Sequence, residues 1–132
     1  MKMKNGILNS MLLVMITSIA ISCTAQVASK LTPEEFLMRI ENEKDNFVIL
    51  DVRTSEEVEQ GKIPGAMQMD FYDDSFTSQL DQLDKNTTYY VYCAVGGRSG
   101  KTLSRMVELG FKEVFDLEGG MKAWRAAGFK VD

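Results

Sequence analysis

The eleven residues Tyr89-Tyr90-Val91-Tyr92-Cys93-Ala94-Val95-Gly96-Gly97-Arg98-Ser99 decide the reading of this chain. The run Tyr89–Tyr92 is continuous, aromatic and β-branched, which predicts a buried strand. Four loop residues separate Cys93 from Arg98, and two of them are glycine. Downstream, Leu103, Met106 and Val107 recur at helical spacing, and Gly110 is a natural helix stop. Strand, Gly-rich loop and helix in this order form an anion cradle: backbone N–H groups converge and the helix N-terminus adds partial positive charge. Gly96 and Gly97 permit the positive φ angles and close backbone approach such a loop requires. Cys93 stands at the exit of the strand, where open α/β sheets hold their ligands. The loop N–H groups, the helix dipole and Arg98 all favour its thiolate.

Working outward, the other segments alternate in the same way. Thr32 is a good N-cap, Pro33 fits the first helical position, and Glu34 and Glu35 suit the positive first turn. Phe47–Leu50 reads as a strand ending in Asp51-Val52-Arg53. Ser55 is the expected cap of a short helix that stops at Gly61. Ile63-Pro64-Gly65-Ala66 turns into a strand near Met67–Met69, and Phe76, Leu80 and Leu83 mark a helix. Val114–Leu117 is a last strand, and Met121–Ala127 a last helix ended by Gly128. This alternation predicts an α/β fold with a mainly parallel sheet of about five strands and helices on both faces. The expected organisation is a signal sequence at 1–25, a linker at 26–30 and one domain at 31–132.

Composition narrows the chemistry. The chain has 132 residues and a net charge of -4. Without residues 1–25, which carry Lys2 and Lys4 and no acid, 13 basic residues face 19 acidic ones, or -6. An acidic body of this kind has no footprint for nucleic acid. There is no histidine, which excludes Ser-His and Cys-His pairs and His-based metal sites. The two cysteines, Cys23 and Cys93, form no metal-ligand pattern, so neither metal nor cofactor is expected. A single domain of this size is expected to be a monomer.

Lys2 and Lys4, the apolar stretch Met11–Ile21 and the small residues Ser22-Cys23-Thr24-Ala25 together read as a secretory signal. The apolar run falls short of the ~20 residues a membrane span needs. Two cleavage sites compete. Ile19-Ala20-Ile21-Ser22-Cys23 is similar to a bacterial lipobox, with Cys23 as the lipidated residue and a lipid anchor as the result. The other site follows Ala25 and leaves Gln26 first. Both place the domain outside the cytoplasm, in a periplasm or on a membrane surface.

Four pieces in order resemble one family. They are Asp51-Val52-Arg53 with Glu57; Gly61-Lys62-Ile63-Pro64-Gly65-Ala66; Cys93-x-x-Gly96-x-Arg98-Ser99; and Gly119-Gly120-Met121-x-Ala123-Trp124 with Ala127-Gly128. From about Leu31 to Val131 the chain is similar to rhodanese-like domains. The resemblance implies a sulfurtransferase: Cys93 takes a sulfane sulfur from a small sulfur-containing anion or a persulfide donor and passes it to a thiol or cyanide. It also implies that the backbone of Ala94, Val95, Gly96, Gly97, Arg98 and Ser99 holds the transferred sulfur, with Arg98 supporting the pocket. Asp51 and Arg53 are read as structural residues close enough to support the loop, with Arg53 free to pair with Glu57 or another acid.

Two alternatives stand beside this. Cysteine-based phosphatases and arsenate reductases have five residues between Cys and Arg, one more than here. A redox-sensing or binding module on the same fold would not transfer sulfur. The chain departs from the family at Lys62, where many members carry His. Its loop is also poor in cations, which leaves room for polysulfide or persulfide donors beside thiosulfate.

Overall fold

The computed structural model describes residues 25–132. Cys23 and the rest of the expected signal therefore lie outside the described residues. The elements are β1 (Val27–Leu31), α1 (Pro33–Asn42), β2 (Phe47–Asp51), α2 (Ser55–Glu59), β3 (Met67–Gln68), α3 (Phe76–Asp81), β4 (Thr88–Tyr92), α4 (Gly97–Glu108), β5 (Glu113–Leu117) and α5 (Gly120–Ala126). The five strands form one sheet in the order β1-β5-β4-β2-β3, and every pairing is parallel. The α/β fold and the five-stranded parallel sheet expected from the alternation are both present.

β4 lies at the centre, and all five of its residues are buried. Its period-two geometry divides the core into two layers. Tyr90 and Tyr92 face a layer with Phe36 of α1 and Trp124 of α5. Tyr89, Val91 and Cys93 face the other, with Leu80 of α3 and Met106 of α4. Helices on both faces explain why the strand is apolar throughout rather than alternating.

Local signals placed most boundaries. Thr32 caps α1 in a reciprocal capping box with Glu35, and Pro33 opens the helix. The cap of α2 is Thr54, not Ser55. Thr54 is extended (φ -69°, ψ 162°) and its hydroxyl accepts from Glu57 N–H, while the Glu57 carboxylate accepts from Thr54 N–H. Only Thr54 has an acid three residues on, so only it can close the box.

The expected linker at 26–30 is also corrected. Residues 27–31 form β1, an edge strand registered on β5 from Val27↔Glu113 to Leu31↔Leu117. Its residues are exposed except Leu31. Its order comes from backbone pairing and from Gln26, whose side-chain amide donates to the Val107 and Phe111 carbonyls at 2.9 and 3.0 Å. Neither leaves a hydrophobic period in the sequence.

Candidate active site

Cys93 leaves the carboxyl end of β4, and the chain turns at once into α4. The turn needs Gly96, which sits in the left-handed region (φ 106°) as the N-cap residue of α4. Gly97 is different: it has no positive φ, and a β-carbon there would meet nothing within 4 Å. Of the two glycines, which both permit positive φ, only Gly96 uses it, because Gly97 is already the first helical residue.

The loop wraps the sulfur. Gly96 N–H donates to Cys93 Sγ at 3.1 Å, and Ser99 Oγ lies 3.3 Å away. Cys93 is 1% exposed, and Ser99 is fully buried. Burial alone would push the thiol up. The Ser99 hydroxyl and the N–H groups of Ser99, Gly96 and Val95 outweigh it, and the thiol is held below its ordinary value. Neutral dipoles thus do what a histidine does elsewhere.

A second loop locks the cradle from below. Met121 N–H donates to the Cys93 carbonyl at 2.8 Å, and Lys122 N–H to the Ala94 carbonyl at 3.0 Å. Gly120 (φ 59°) makes this approach, and a β-carbon there would stand 2.5 Å from the Cys93 carbonyl oxygen. The first N–H groups of α5 are thereby satisfied, and the Cys93 and Ala94 carbonyls face α5.

Arg98 is placed differently from its expected role. Its guanidinium forms a bidentate pair with Glu57, at 2.7 Å on each arm, and lies 5.5 Å from the centre of the Tyr72 ring. This pair lowers the Glu57 carboxyl to about 2 and raises Arg98 further still; the Cys93 sulfur adds a lesser attraction to Arg98. By the same attraction Arg98 favours the Cys93 thiolate, but less than the Ser99 hydroxyl and the loop N–H groups do. Arg98 ties the start of α4 to α2, so its support of the pocket is mechanical first. Glu57, quoted for the resemblance but given no role at the site, is the group that fixes it. The pair spans 41 residues of sequence, and nothing local announces it.

Asp51 and Arg53 sit beside the loop and do not touch the sulfur. Arg53 Nε and Nη2 donate to Asp51 at 2.9 and 2.7 Å, and Nη2 also donates to the Gly61 carbonyl at 2.8 Å. Asp51 accepts from the Tyr92 hydroxyl, which in turn accepts from Ile63 N–H at 3.1 Å. Arg53 therefore pairs with Asp51 and reaches only the backbone carbonyl of Glu57, at 3.3 Å. The network fixes Tyr92, the residue before Cys93. A buried tyrosine hydroxyl requires such a partner, and that requirement was the available signal.

A cleft of about 470 Å³ opens beside the loop, lined by Glu57, Gln60, Ala94, Val95, Lys122 and Arg125 among others. Of its three cations, Lys122 and Arg125 come from α5 and face the neutral loop, while Arg53 is paired with Asp51. Lys62, the departure from the family pattern, donates to the Ala66 carbonyl at 3.2 Å and so braces its own turn. Among the described residues no group of acids and cysteines is placed to hold a metal ion, and no helix is long and apolar enough to cross a membrane.

The fold agrees with known proteins. The rhodanese-like domain family profile matches residues 32–127. The chain belongs to the rhodanese-like domain family. A sulfurtransferase of Allochromatium vinosum is 26% identical over 105 residues, covering 80% of this chain and 95% of that protein. The thiosulfate sulfurtransferase GlpE of Coxiella burnetii is 34% identical over 83 residues, covering 63% and 76%. A rhodanese-related protein of Thermoplasma volcanium superposes with a TM-score of 0.69 over 79% of this chain and 97% of its own, at 24% identity, which speaks for the fold. The rhodanese-like fold read from the four pieces is thus present.

Proposed function

We propose that this rhodanese-like domain is a sulfurtransferase that carries sulfane sulfur on Cys93. The observation that carries the reading is the buried Cys93 thiol, held below its ordinary value by loop dipoles in a four-residue loop. The thiolate attacks the sulfane sulfur of the donor. The new S–S bond forms as the donor's bond to that sulfur breaks, and the donor leaves with the electron pair, as sulfite from thiosulfate or as a thiolate from a persulfide. The acceptor, cyanide or a thiol, then takes the outer sulfur and releases the Cys93 thiolate. The N–H groups of Val95, Gly96 and Ser99 serve both steps, because each begins or ends with negative sulfur in the cradle.

Lys122 and Arg125 favour an anionic donor or acceptor in the adjoining cleft. Its volume exceeds what one sulfur atom needs, which suits a small organic persulfide as well as thiosulfate. The phosphatase reading is weaker. It has one loop residue too few, and Arg98, the natural phosphate clamp, is held by Glu57.

The test is sulfur loading from thiosulfate, polysulfide and a small-molecule persulfide, read as added mass on intact protein and as thiocyanate formed with cyanide. Loading on the wild type and none on Cys93→Ser is expected. A wild type that takes sulfur from none of the three donors, or instead forms a disulfide with a partner, sinks the reading and favours a redox-sensing or binding module.

We further propose export of the domain, as lipoprotein or processed protein, on the strength of Lys2, Lys4, the apolar 11–21 stretch and Cys23 or Ala25 at its end. N-terminal mass analysis of protein from cells distinguishes a lipidated Cys23 from a free Gln26. An intact Met1 terminus would contradict export by cleavage.

A further inference from the structure

The cleft beside the loop has more to it than its sign. Its charges divide into spent and unspent. Arg53 is paired with Asp51, and Glu57, the acid in its lining, is paired with Arg98. Lys122 and Arg125 are exposed, and neither takes part in an ion pair among the described residues. They stand three residues apart on α5, which puts them on one face of the helix. Two unspent cations thus meet in one cleft of a body where 13 basic residues face 19 acidic ones.

Both are held in place. Lys122 N–H donates to the Ala94 carbonyl at 3.0 Å, so its backbone is bound to the residue that follows Cys93. Arg125 Nη2 donates to the Gln60 carbonyl at 2.8 Å, which leaves its other N–H groups for a ligand. Gly61 makes room for that guanidinium: a β-carbon there would stand 2.8 Å from Arg125 Nη2. The wall contributed by the loop is apolar. It consists of Ala94 and of Val95, which is 65% exposed. At about 470 Å³ the cleft has the volume of a small-molecule site. An inorganic anion would use the cations and leave Val95 and most of this space empty. An organic ligand with a carboxylate uses all three.

We propose that Lys122 and Arg125 are specificity-determining residues, which seat the carboxylate of a small organic persulfide donor while Val95 packs against its carbon chain. The proposal deepens the sulfur-transfer reading and rests on it. The Cys93 thiolate attacks the outer sulfur of R–S–SH. The bond between the two donor sulfurs breaks, R–S⁻ leaves with the electron pair, and the outer sulfur keeps its proton on Cys93. The cations hold the carboxylate of R and take no part in the bond changes.

The experiment compares the persulfides of N-acetylcysteine and of N-acetylcysteine amide, which differ at the carboxylate alone. Sulfur loading of Cys93 is followed as added mass at subsaturating donor. The readout is the ratio of the two rates in one protein, so partial unfolding of a variant does not distort it. Wild type should prefer the acid about fivefold, the worth of one exposed ion pair. Lys122→Met should lose most of that preference, and Lys122→Met with Arg125→Met all of it. Lys112→Met makes the same change in net charge at the start of β5, at the other end of the sheet, and should keep it. Equal rates in wild type, a preference that survives the double substitution, or its loss in Lys112→Met each overturn the proposal. A second arm needs no sulfur transfer. In Cys93→Ser, N-acetyl-S-methylcysteine should shift the Lys122 and Arg125 amide signals in NMR at lower concentration than its amide does. Equal concentrations overturn the proposal even where loading is absent. Loading from neither persulfide nor thiosulfate, with carboxylate binding intact, would instead defeat the sulfur-transfer reading and leave the seat standing.

Discussion

Two neighbouring regions at the carboxyl end of the sheet handle charge in opposite ways. Around Cys93 the ionised form of a lone sulfur is favoured by dipoles: the Gly96, Val95 and Ser99 N–H groups and the Ser99 hydroxyl. Some residues away, the full charges cancel each other. Arg53 pairs with Asp51 at 4% and 1% side-chain exposure, and Arg98 pairs with Glu57 nearer the surface. The difference teaches what the cations are for. Arg53 and Arg98 hold loops in place, while the groups that hydrogen-bond the sulfur carry no net charge. A dipole cradle suits a carrier whose cysteine must gain and lose an anionic sulfur, because it does not bind a leaving anion as a fixed cation would.

The contrast can be broken most violently at Arg53. Arg53→Met leaves Asp51 buried without its partner, and about 3–5 kcal/mol of stability should be lost. Where the variant still folds, the ionisation of Cys93 should move little. Denaturant unfolding and thiol alkylation measure the two separately. A Cys93 titration that moves as far as in Ser99→Ala would mean the ion pair also tunes the sulfur.

The cradle side is tested next by Gly120→Ala. The added carbon meets the Cys93 carbonyl at 2.5 Å from a backbone with φ 59°. A loss of about 3 kcal/mol is expected, since both clash and strain act. Unlike Arg53→Met, it should also raise the thiol's titration, because the loop that aims the N–H groups must shift.

The Arg98–Glu57 pair should matter less, about 1 kcal/mol for a partly exposed bidentate bridge. Its pH dependence gives the sharper test. The Glu57 carboxyl falls from an ordinary 4.5 to about 2 in the folded protein. A depressed acid stabilises the fold above its unfolded value, and the contribution disappears as pH falls through the folded one. The stability gap between wild type and Glu57→Gln should therefore be full above pH 4.5 and close between 4.5 and about 2. A gap that persists at the acid end would show that packing, not charge, carries the link. Gly97→Ala is expected to have the smallest effect. It meets nothing and needs no special φ, so a gain of about 0.5 kcal/mol from reduced unfolded-state freedom is expected in thermal unfolding.

Much of this was legible because it is local. The Thr32–Glu35 box, the apolar run before Cys93 and the Cys93-to-Ser99 loop each lie within a few residues, and their periods name their structures. What escaped was non-local. Strand β1 has no pattern of its own, since an edge strand held by its backbone can carry almost any side chains. The bond between Arg98 and Glu57 joins residues 41 apart, and Asp116 reads in sequence as one more acid near a turn.

By itself, the order of residues determined the alternation of strand and helix, the parallel sheet and the place of Cys93 at its carboxyl end. Backbone propensity and hydrophobic period act over a few residues, so they survive in one dimension. Only the tertiary structure decided which partner each charge takes. Arg98 turned to Glu57, Arg53 to Asp51, and Asp116 was left near Gly100 without a partner, because pairing depends on which strands and helices meet. The same meeting of β4, α4 and α5 gave Cys93 its low thiol: the converging N–H groups exist only once the loop is clamped between two helix N-termini.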